Sequence, residues 1–418
     1  MRSDWPVAKL GELTINLDTK RRPVKEAERR PGPYPYYGAS GVVDYVDGFL
    51  FEGEHLLIAE DGENLRTRNT PVAFRATGRF WVNNHAHIVK GNSRARTRFL
   101  EYAVLAADLT PYLTGAVMPK LTQGNLNKLE LPCPTLSEQD ALVGVLGALD
   151  DRIDLLRQTN TTLESIAQAL FKSWFIDFDP VRAKAEGREP EGIDAETAAL
   201  FPDGFEGSEL GEIPKGWRAG RFADIATLAK GNVNPLESPE TTFEHYSLPA
   251  FDVAQLPSFE LGETIKSNKT RVPENAILQS KLNPHIPRIW FTGPVGDKAV
   301  CSTEFLPWVA RDDSSPELVY CTLRSTEFSN QVHTLVTGTS NSHQRVKPDQ
   351  VALLSVIVAP SPISNRFKEI TRPMLQKICS NRLQAKNLES LRDTLLPRLI
   401  SGKLRLPEAQ TKIQDALA

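Results

Sequence analysis

The stretch that organises this chain is residues 137–174, SEQDALVGVLGALDDRIDLLRQTNTTLESIAQALFKSW. Leucines recur in it every seven residues, at Leu142, Leu149, Leu156, Leu163 and Leu170. A second row with the same spacing holds Leu146, Ile153, Asn160, Ala167 and Trp174. Two such rows predict a long helix with a coiled-coil-like seam. A capping box at residues 137–140 is expected to open the helix, and Asp179-Pro180 to follow its end.

A second and poorer seam lies near the C-terminus, with rows of Phe367, Met374, Asn381, Leu388, Leu395 and of Thr371, Ile378, Ala385, Arg392, Leu399. Pro373 and Pro397 are expected to start, kink or end helical pieces there, and Gly402 to cap the C-terminus. Each seam contains one asparagine. If the helices pair antiparallel, Asn160 and Asn381 lie close and help to fix the register. The alternative is that one or both of them face solvent.

The two seams belong to a long internal repeat. Trp5-Pro6-Val7-Ala8-Lys9-Leu10-Gly11-Glu12-Leu13 returns in pattern at residues 217–225, and Leu163-Glu164-Ser165-Ile166 returns at residues 388–391. In the first copy, short runs such as His55–Ala59, separated by Gly and Pro, predict strands before the helix. The fold predicted is therefore α+β, with two pseudo-symmetric globular domains bridged by two long antiparallel coiled-coil-like helices.

The predicted domains are residues 1–136, a central helix at 137–179, an acidic linker at 180–215, a second domain at 216–361, a C-terminal helix at 362–405 and a tail at 406–418. Residues 176–214 hold eleven acidic and three basic side chains, whereas residues 346–418 hold twelve basic and six acidic ones. Local basic regions beside an acidic connector favour a polyanionic partner. Ordinary solvated faces are the alternative.

Several classes of protein are disfavoured by what the sequence lacks. Its four cysteines form no C-x-x-C pair, which favours reduced thiols over a disulfide framework or a zinc site. No apolar run is long enough to span a membrane, and we expect a cytoplasmic protein. There is no phosphate-binding loop for ATP, and Asp18-Thr19-Lys20 and Asn283-Pro284-His285-Ile286 are only fragments of nuclease and methyltransferase motifs. His85-Ala86-His87 lacks a third ligand and favours a structural role over a metal site.

The chain resembles the specificity subunit of type I restriction–modification enzymes over essentially its full length. The segments that carry the resemblance are Pro35–Gly41, Leu57–Asn64, Lys120–Leu126, Leu170–Pro180, Gly211–Trp217 and Lys281–Arg288, in this order around the repeat.

The resemblance implies a non-catalytic DNA reader without a cofactor or a metal. Each domain would be a target recognition domain for one half of a split target. The helices would separate the two domains and dock two adenine methyltransferase subunits, which bind S-adenosylmethionine and in turn carry motor-nuclease subunits. A 40-residue helix spans about 60 Å. One DNA turn is about 34–36 Å long, so two overlapped helices of this length would hold the two domains about one turn apart. Besides a DNA reader and an enzyme, a third possible class is a scaffold that pairs helices without reading DNA.

Side chains that read bases are Arg, Lys, Asn and Gln, and other basic groups hold phosphates. The predicted DNA contacts of the first domain are Lys20, Arg21, Arg22, Tyr36, Tyr37, Asn64, Arg66, Arg68 and Lys120. Those of the second domain are Lys230, Asn232, Lys281, Asn283, His285, Arg288, Asn341, His343, Gln344 and Arg345. The predicted helix-pairing and partner-binding residues are Asn160, Leu163, Leu170, Phe171, Trp174, Asn381, Leu388 and Leu395. A solvated loop is the alternative for Arg66 and Arg68, and a scaffold role for the two tyrosines.

Overall fold

The computed structural model describes residues 5–336 and 344–417 of the chain, except for the side chains of residues 414–417. The chain divides into two compact units. Unit 1 consists of residues Met1–Ile153 and Asn387–Ala418, and unit 2 of residues Asp154–Lys386.

The first part of the chain is built from short strands and four short helices. In chain order these are β1 (Val7–Lys9), α1 (Leu10–Leu13), β2 (Thr14–Asn16), β3 (Pro31–Gly38), β4 (Gly41–Val46), β5 (Phe51–Glu52), β6 (His55–Ala59), α2 (Asn64–Thr67), β7 (Ala73–Ala76), β8 (Arg79–Val82), β9 (Ala86–Gly91), α3 (Thr97–Ala106), α4 (Gln123–Leu126) and β10 (Glu130–Pro132). The run His55–Ala59 is a strand, as the sequence predicts.

Two four-stranded sheets form the body of unit 1. One has the strand order β2-β9-β6-β7 and the other β4-β3-β8-β5, while β1 pairs with β10. Leu57, Phe80 and Ile88 are fully buried in a core that also takes in Phe51 and Val82. Strand β6 is buried at all five positions, so its apolar run has no solvent face.

The long helix α5 (Leu136–Phe175) follows, and the remaining elements complete the chain. These are α6 (Asp179–Ala185), α7 (Ala195–Ala199), β11 (Phe205–Ser208), β12 (Gly211–Pro214), β13 (Arg218–Arg221), β14 (Ala226–Leu228), β15 (Asn232–Val233), β16 (Thr242–Tyr246), α8 (Leu248–Ala254), β17 (Ser258–Leu261), β18 (Lys269–Arg271), β19 (Ile277–Ser280), β20 (Ile289–Phe291), β21 (Ala299–Ser302), β22 (Phe305–Ala310), α9 (Pro316–Arg324), α10 (Thr326–Thr334), α11 (Pro348–Ala352), β23 (Ser355–Val358), α12 (Ser361–Ile400) and α13 (Leu406–Leu417).

Unit 2 contains sheets whose strand orders resemble those of unit 1. Its four-stranded sheet has the order β14-β22-β19-β20, and β13 pairs with β23. A five-stranded sheet has the order β15-β18-β21-β16-β17, in which β16 and β21 run parallel, as β3 and β8 do in unit 1. The chain is thus mixed helix and sheet, as predicted.

The two 40-residue helices α5 and α12 pack together along the predicted seam. Asn381 donates a hydrogen bond from Nδ2 to Oδ1 of Asn160 at 2.8 Å, and the rings of Trp174 and Phe367 lie 6.0 Å apart. The contact partner on α12 lies earlier in the sequence as the residue on α5 lies later, so the two helices are antiparallel within unit 2. The prediction that the two asparagines lie close is confirmed.

The ends of these helices differ in detail from the sequence prediction. Helix α5 opens on the capping box of Thr135 and Glu138, two residues earlier than expected, because the Glu138 carboxylate accepts from the Thr135 backbone N–H at 2.8 Å. Helix α12 runs without interruption through Pro373 and Pro397, contrary to the expectation of separate pieces. Buried seam residues on both sides, such as Phe367 and Ile378, offset the bond that each proline removes. Gly402 has a positive φ of 67°, as a C-terminal cap requires.

The acidic stretch predicted as a linker, residues 180–215, contains helices α6 and α7 and the hairpin β11–β12. Val181, Phe201 and Ile213 are buried in the core of unit 2 together with Trp174 and Trp217. The tail predicted at 406–418 contains helix α13. None of the helices in the described part of the chain is long and apolar enough to cross a bilayer.

Candidate nucleic-acid interface

In unit 1, several predicted contact residues gather at one edge of the β2-β9-β6-β7 sheet. Because β9 runs antiparallel to both β2 and β6, the residues that follow β2 and β6 share an edge with the start of β9. Lys20 and Arg21 follow β2. The loop of residues 114–123, called loop 114–123 below, meets the same edge where Lys120 forms a β-bridge with Asp61. Lys20 is exposed, and Lys120 is half exposed with its Nζ 3.3 Å from Oε1 of Glu60.

Arg21 differs from Lys20, because its guanidinium group faces the protein. It donates to Oε2 of Glu60 at 2.8 Å and to the backbone oxygen of Ala86 at 2.7 Å. Its side chain is only 13% exposed. Arg21 therefore fixes Glu60 in this structure, whereas the neighbouring Arg22 is exposed.

The polar stretch at residues 64–68 is braced internally. The Asn64 side chain exchanges two hydrogen bonds with the backbone of Thr70. Arg66 donates to the backbone oxygen of Gly115 at 2.9 Å, and Arg68 donates to those of Leu105 and Ala107. Both arginines remain exposed on the surface, but their guanidinium groups donate hydrogen bonds to the backbone of other segments of unit 1.

The two tyrosines lie in scaffold positions, as in the alternative interpretation of these residues. Tyr36 is 1% exposed, and its hydroxyl accepts from the backbone N–H of Val24 at 2.9 Å. Tyr37 packs edge-on against Phe80, with ring centroids 5.6 Å apart, and burial raises the pKa of its phenol. We therefore leave Tyr36 out of the set of residues proposed to contact DNA.

Unit 2 presents a similar sheet edge. Lys281 follows β19, and its backbone oxygen accepts from Val346 at 3.1 Å, as Glu60 accepts from Leu121 in unit 1. Leu282 forms a β-bridge with Arg345, as Asp61 does with Lys120. The backbone pairing of Arg345 in unit 2 thus corresponds to that of Lys120 in unit 1.

The side chains at this second edge are partly exposed. The backbone N–H of Asn283 donates to the carbonyl of Gln344 at 2.8 Å, and Asn283 has a left-handed φ of 51°. Arg345 pairs with Glu304 at 3.2 Å, and this hydrogen bond raises the pKa of the guanidinium. Lys230 follows β14 at the same edge and is exposed.

Three further predictions for unit 2 have different outcomes. His285 is exposed, whereas Arg288 is held by Asp252 through two hydrogen bonds of 2.6 and 2.9 Å with its side chain 15% exposed. Asn232 begins strand β15 and is exposed. Asn341 and His343 lie outside the described residues.

The predicted helix-pairing residues lie in or beside the helix seam. Trp174 and Phe171 are 1% and 4% exposed in the core of unit 2, and Leu163 and Leu170 pack against that core. Leu388 and Leu395 are buried in unit 1. Trp174, near the end of α5, is covered within unit 2, since its ring packs against that of Phe201 with centroids 5.1 Å apart.

Two features of the described side chains bear on metal binding and on reactive groups. Among the described residues, no group of three or more His, Cys, Asp or Glu could hold a metal ion. Burial raises the pKa of the Cys301 thiol to about 12, which makes it a poor nucleophile. The Asp18 carboxylate accepts from the backbone N–H of Ile88 at 2.8 Å and faces inward.

Sequence reasoning missed an ionic cluster in unit 1 that contains Asp18, Glu60 and His87. His87 Nδ1 lies 2.6 Å from Oδ2 of Asp18. The only signal in the sequence is the His85-Ala86-His87 alternation on a strand, which places one histidine inward. His87 is 1% exposed, and the His85 side chain is about half exposed.

Exposed basic residues thus lie on loops at one sheet edge of each unit. A family model described as the type I restriction modification DNA specificity domain matches residues 2–165. The MjaIX specificity subunit of Methanocaldococcus jannaschii is 25% identical over 97% of this chain and 94% of its own length. The HindI specificity subunit of Haemophilus influenzae is 25% identical over 73% of this chain and 77% of its own.

Among solved structures, the S subunit of a type I restriction–modification system from M. genitalium covers 95% of this chain and 96% of its own, with a TM-score of 0.58 at 14% identity. This likeness concerns the fold alone. The sequence and family matches confirm the resemblance to type I specificity subunits. The named relatives are specificity subunits.

Proposed function

We propose that this chain reads a split DNA target within a type I restriction–modification complex, with one half-site for each unit. The observation that carries the proposal is the repeated edge geometry. In each unit a loop is joined by a β-bridge to the end of the strand β6 or β19, and basic residues follow the neighbouring strand β2 or β14. Loops on a rigid sheet edge can present side chains to a DNA groove at fixed positions.

The proposal includes a pseudo-twofold relation between the units. Support comes from the matching strand orders and from helices α5 and α12, which are both 40 residues long and follow corresponding strands. Two readers on paired helices suit an asymmetric target with two halves and a spacer.

We further propose that the helix region docks two adenine methyltransferase subunits, which bind S-adenosylmethionine and in turn carry motor-nuclease subunits. A half-open apolar groove of about 460 Å³ in unit 2 supports a protein partner. Phe171, Phe175 and Ile357 line it, beside polar groups of Ser325 and Gln331.

The test is a genome-wide map of methylated adenines after co-expression of this chain with its neighbouring methyltransferase. We expect a new split motif that disappears when this chain is omitted, because the chain would supply the sequence preference. If the chain acts only as a scaffold, it would assemble with the methyltransferase, but the complex would methylate no defined motif.

Replacing Lys20 with alanine is expected to weaken duplex binding similarly on all sequences. One phosphate contact fewer should reduce the slope of log affinity against log salt by about one. The measurement is a salt titration of duplex binding by fluorescence anisotropy with the assembled complex. Lys412→Ala, an exposed lysine on α13, is the matched control and should leave the slope unchanged. Equal slopes for both variants would remove Lys20 from the interface.

A further inference from the structure

The inference concerns His87, a buried histidine on strand β9 whose two ring nitrogens both face hydrogen-bond acceptors. Nδ1 lies 2.6 Å from Oδ2 of Asp18, and Nε2 lies 2.7 Å from the backbone oxygen of Leu121. A neutral imidazole has one N–H and can donate only one of these bonds. Both bonds together need the doubly protonated imidazolium, provided that Asp18 is ionised.

The surroundings keep Asp18 ionised. Its Oδ1 accepts from the backbone N–H of Ile88 at 2.8 Å, and its Oδ2 accepts from the Asn16 side chain at 3.2 Å. Burial alone would raise the pKa of this carboxyl, but its hydrogen bonds with His87 and with the backbone N–H of Ile88, together with the charge of Arg21, hold the pKa below its ordinary value. The proton between the two side chains therefore belongs to His87.

A buried imidazolium needs compensating charge, and the cluster supplies it. Besides Asp18, Oε2 of Glu60 lies 3.8 Å from Nδ1 of His87. Glu60 is itself held by Arg21 at 2.8 Å and by Lys120 at 3.3 Å. The charges are thus paired and hydrogen-bonded, which is the condition under which buried charges persist.

The cluster fastens loop 114–123 to the sheet. His87 donates to the carbonyl of Leu121, while the Leu121 N–H donates to the carbonyl of Glu60 at 2.8 Å. Leu121 is fully buried, and the residues on either side of this anchor are polar. Lys120 is half exposed, and Gln123 donates to Oδ1 of Asn16 at 2.8 Å.

Unit 2 lacks this histidine. The residue equivalent to His87 is Leu306. His87 lies two positions before Val89, which pairs with the last residue of β2. Leu306 lies two positions before Trp308, which pairs with the last residue of β14. Leu306 is 5% exposed and belongs to an apolar core. The charged anchor therefore acts on one recognition loop only.

We propose that His87, as an imidazolium, is a positioning residue for the first half-site: it holds loop 114–123 so that Lys120 and Gln123 meet the DNA at fixed places. This rests on the proposed function. It also predicts an asymmetry, since a change at His87 alters the reading of one half of the target and leaves the other half unchanged.

The test uses the full chain assembled with its methyltransferase. In His87→Gln, which can donate only from its single amide nitrogen, we expect discrimination to fall about tenfold at positions of one half-site and to stay unchanged in the other. His55→Gln is the matched control, because His55 is also buried in this sheet but packs against Phe51 and Phe80, away from the loop.

A second readout reports directly on the imidazole ring of His87 in the wild-type chain. In the ¹⁵N-histidine-labelled wild-type chain at neutral pH, both ring nitrogens of His87 should show the chemical shifts of protonated nitrogen, with the assignment taken from the His87→Gln spectrum. A neutral tautomer, or equal loss at both half-sites, would overturn the proposal. An unchanged motif in His87→Gln would refute the positioning role alone, whereas a wild-type complex that methylates no motif would refute the proposed function and this inference with it.

Discussion

Trp174→Ala is expected to lower the free energy of unfolding of unit 2 by about 3–5 kcal/mol. Trp174 is 1% exposed. Its ring packs against Phe201, which follows α7, and against Phe367 on α12, with centroid distances of 5.1 and 6.0 Å. Its removal would leave a cavity at the meeting point of three segments. Chemical denaturation followed by circular dichroism measures the change.

The matched control for this substitution is Leu155→Ala on the same helix. Leu155 is 51% exposed, so its truncation should change stability by no more than about 0.5 kcal/mol. Similar losses for the two variants would mean that the aromatic cluster around Trp174 does not anchor the folded acidic segment.

Asn160→Leu is expected to destabilise unit 2 by about 1–3 kcal/mol, because it leaves the Nδ2 group of Asn381 buried without its acceptor. Asn381 is fully buried and donates to Asn160 at 2.8 Å. The double variant Asn160→Leu/Asn381→Leu removes both polar groups and should recover most of this loss. A double-mutant cycle by chemical denaturation gives the coupling energy.

The same pair should also fix the register of the helices. Spin labels at the exposed positions Leu155 and Leu383 report on it, and we expect the double variant to broaden the distance distribution between them. Gln158→Leu, at an exposed position of α5, is the control and should change neither stability nor distance. A narrow distribution in the double variant would show that the apolar seam alone sets the register.

The helical seam could be predicted from the sequence because its physical cause is periodic. Rows of apolar side chains every seven residues must be buried on one face, and Leu142, Leu149 and Leu156 are indeed buried. The Asn160–Asn381 contact follows from the same periodicity if the helices pair antiparallel.

The contact residues were harder to predict because charge in a sequence does not show what a side chain faces. Arg21 and Arg288 look like their exposed neighbours, yet Glu60 and Asp252 bind them. Such partners lie 39 and 36 positions away in the chain, so only the folded sheet brings them together. The expectation that Pro373 would separate helical pieces was wrong for a similar reason, since tertiary packing offset the tendency of proline to interrupt a helix.

The assignment of residues 387–418 to unit 1 has a consequence for synthesis on the ribosome. Unit 2 is one continuous segment, residues Asp154–Lys386, and emerges complete before the last part of unit 1 is made. Unit 1 is completed only by the returning end of α12, whose Arg392 binds Asp150 at 2.8 Å. We therefore expect unit 1, although it begins earlier in the chain, to be the second to finish folding.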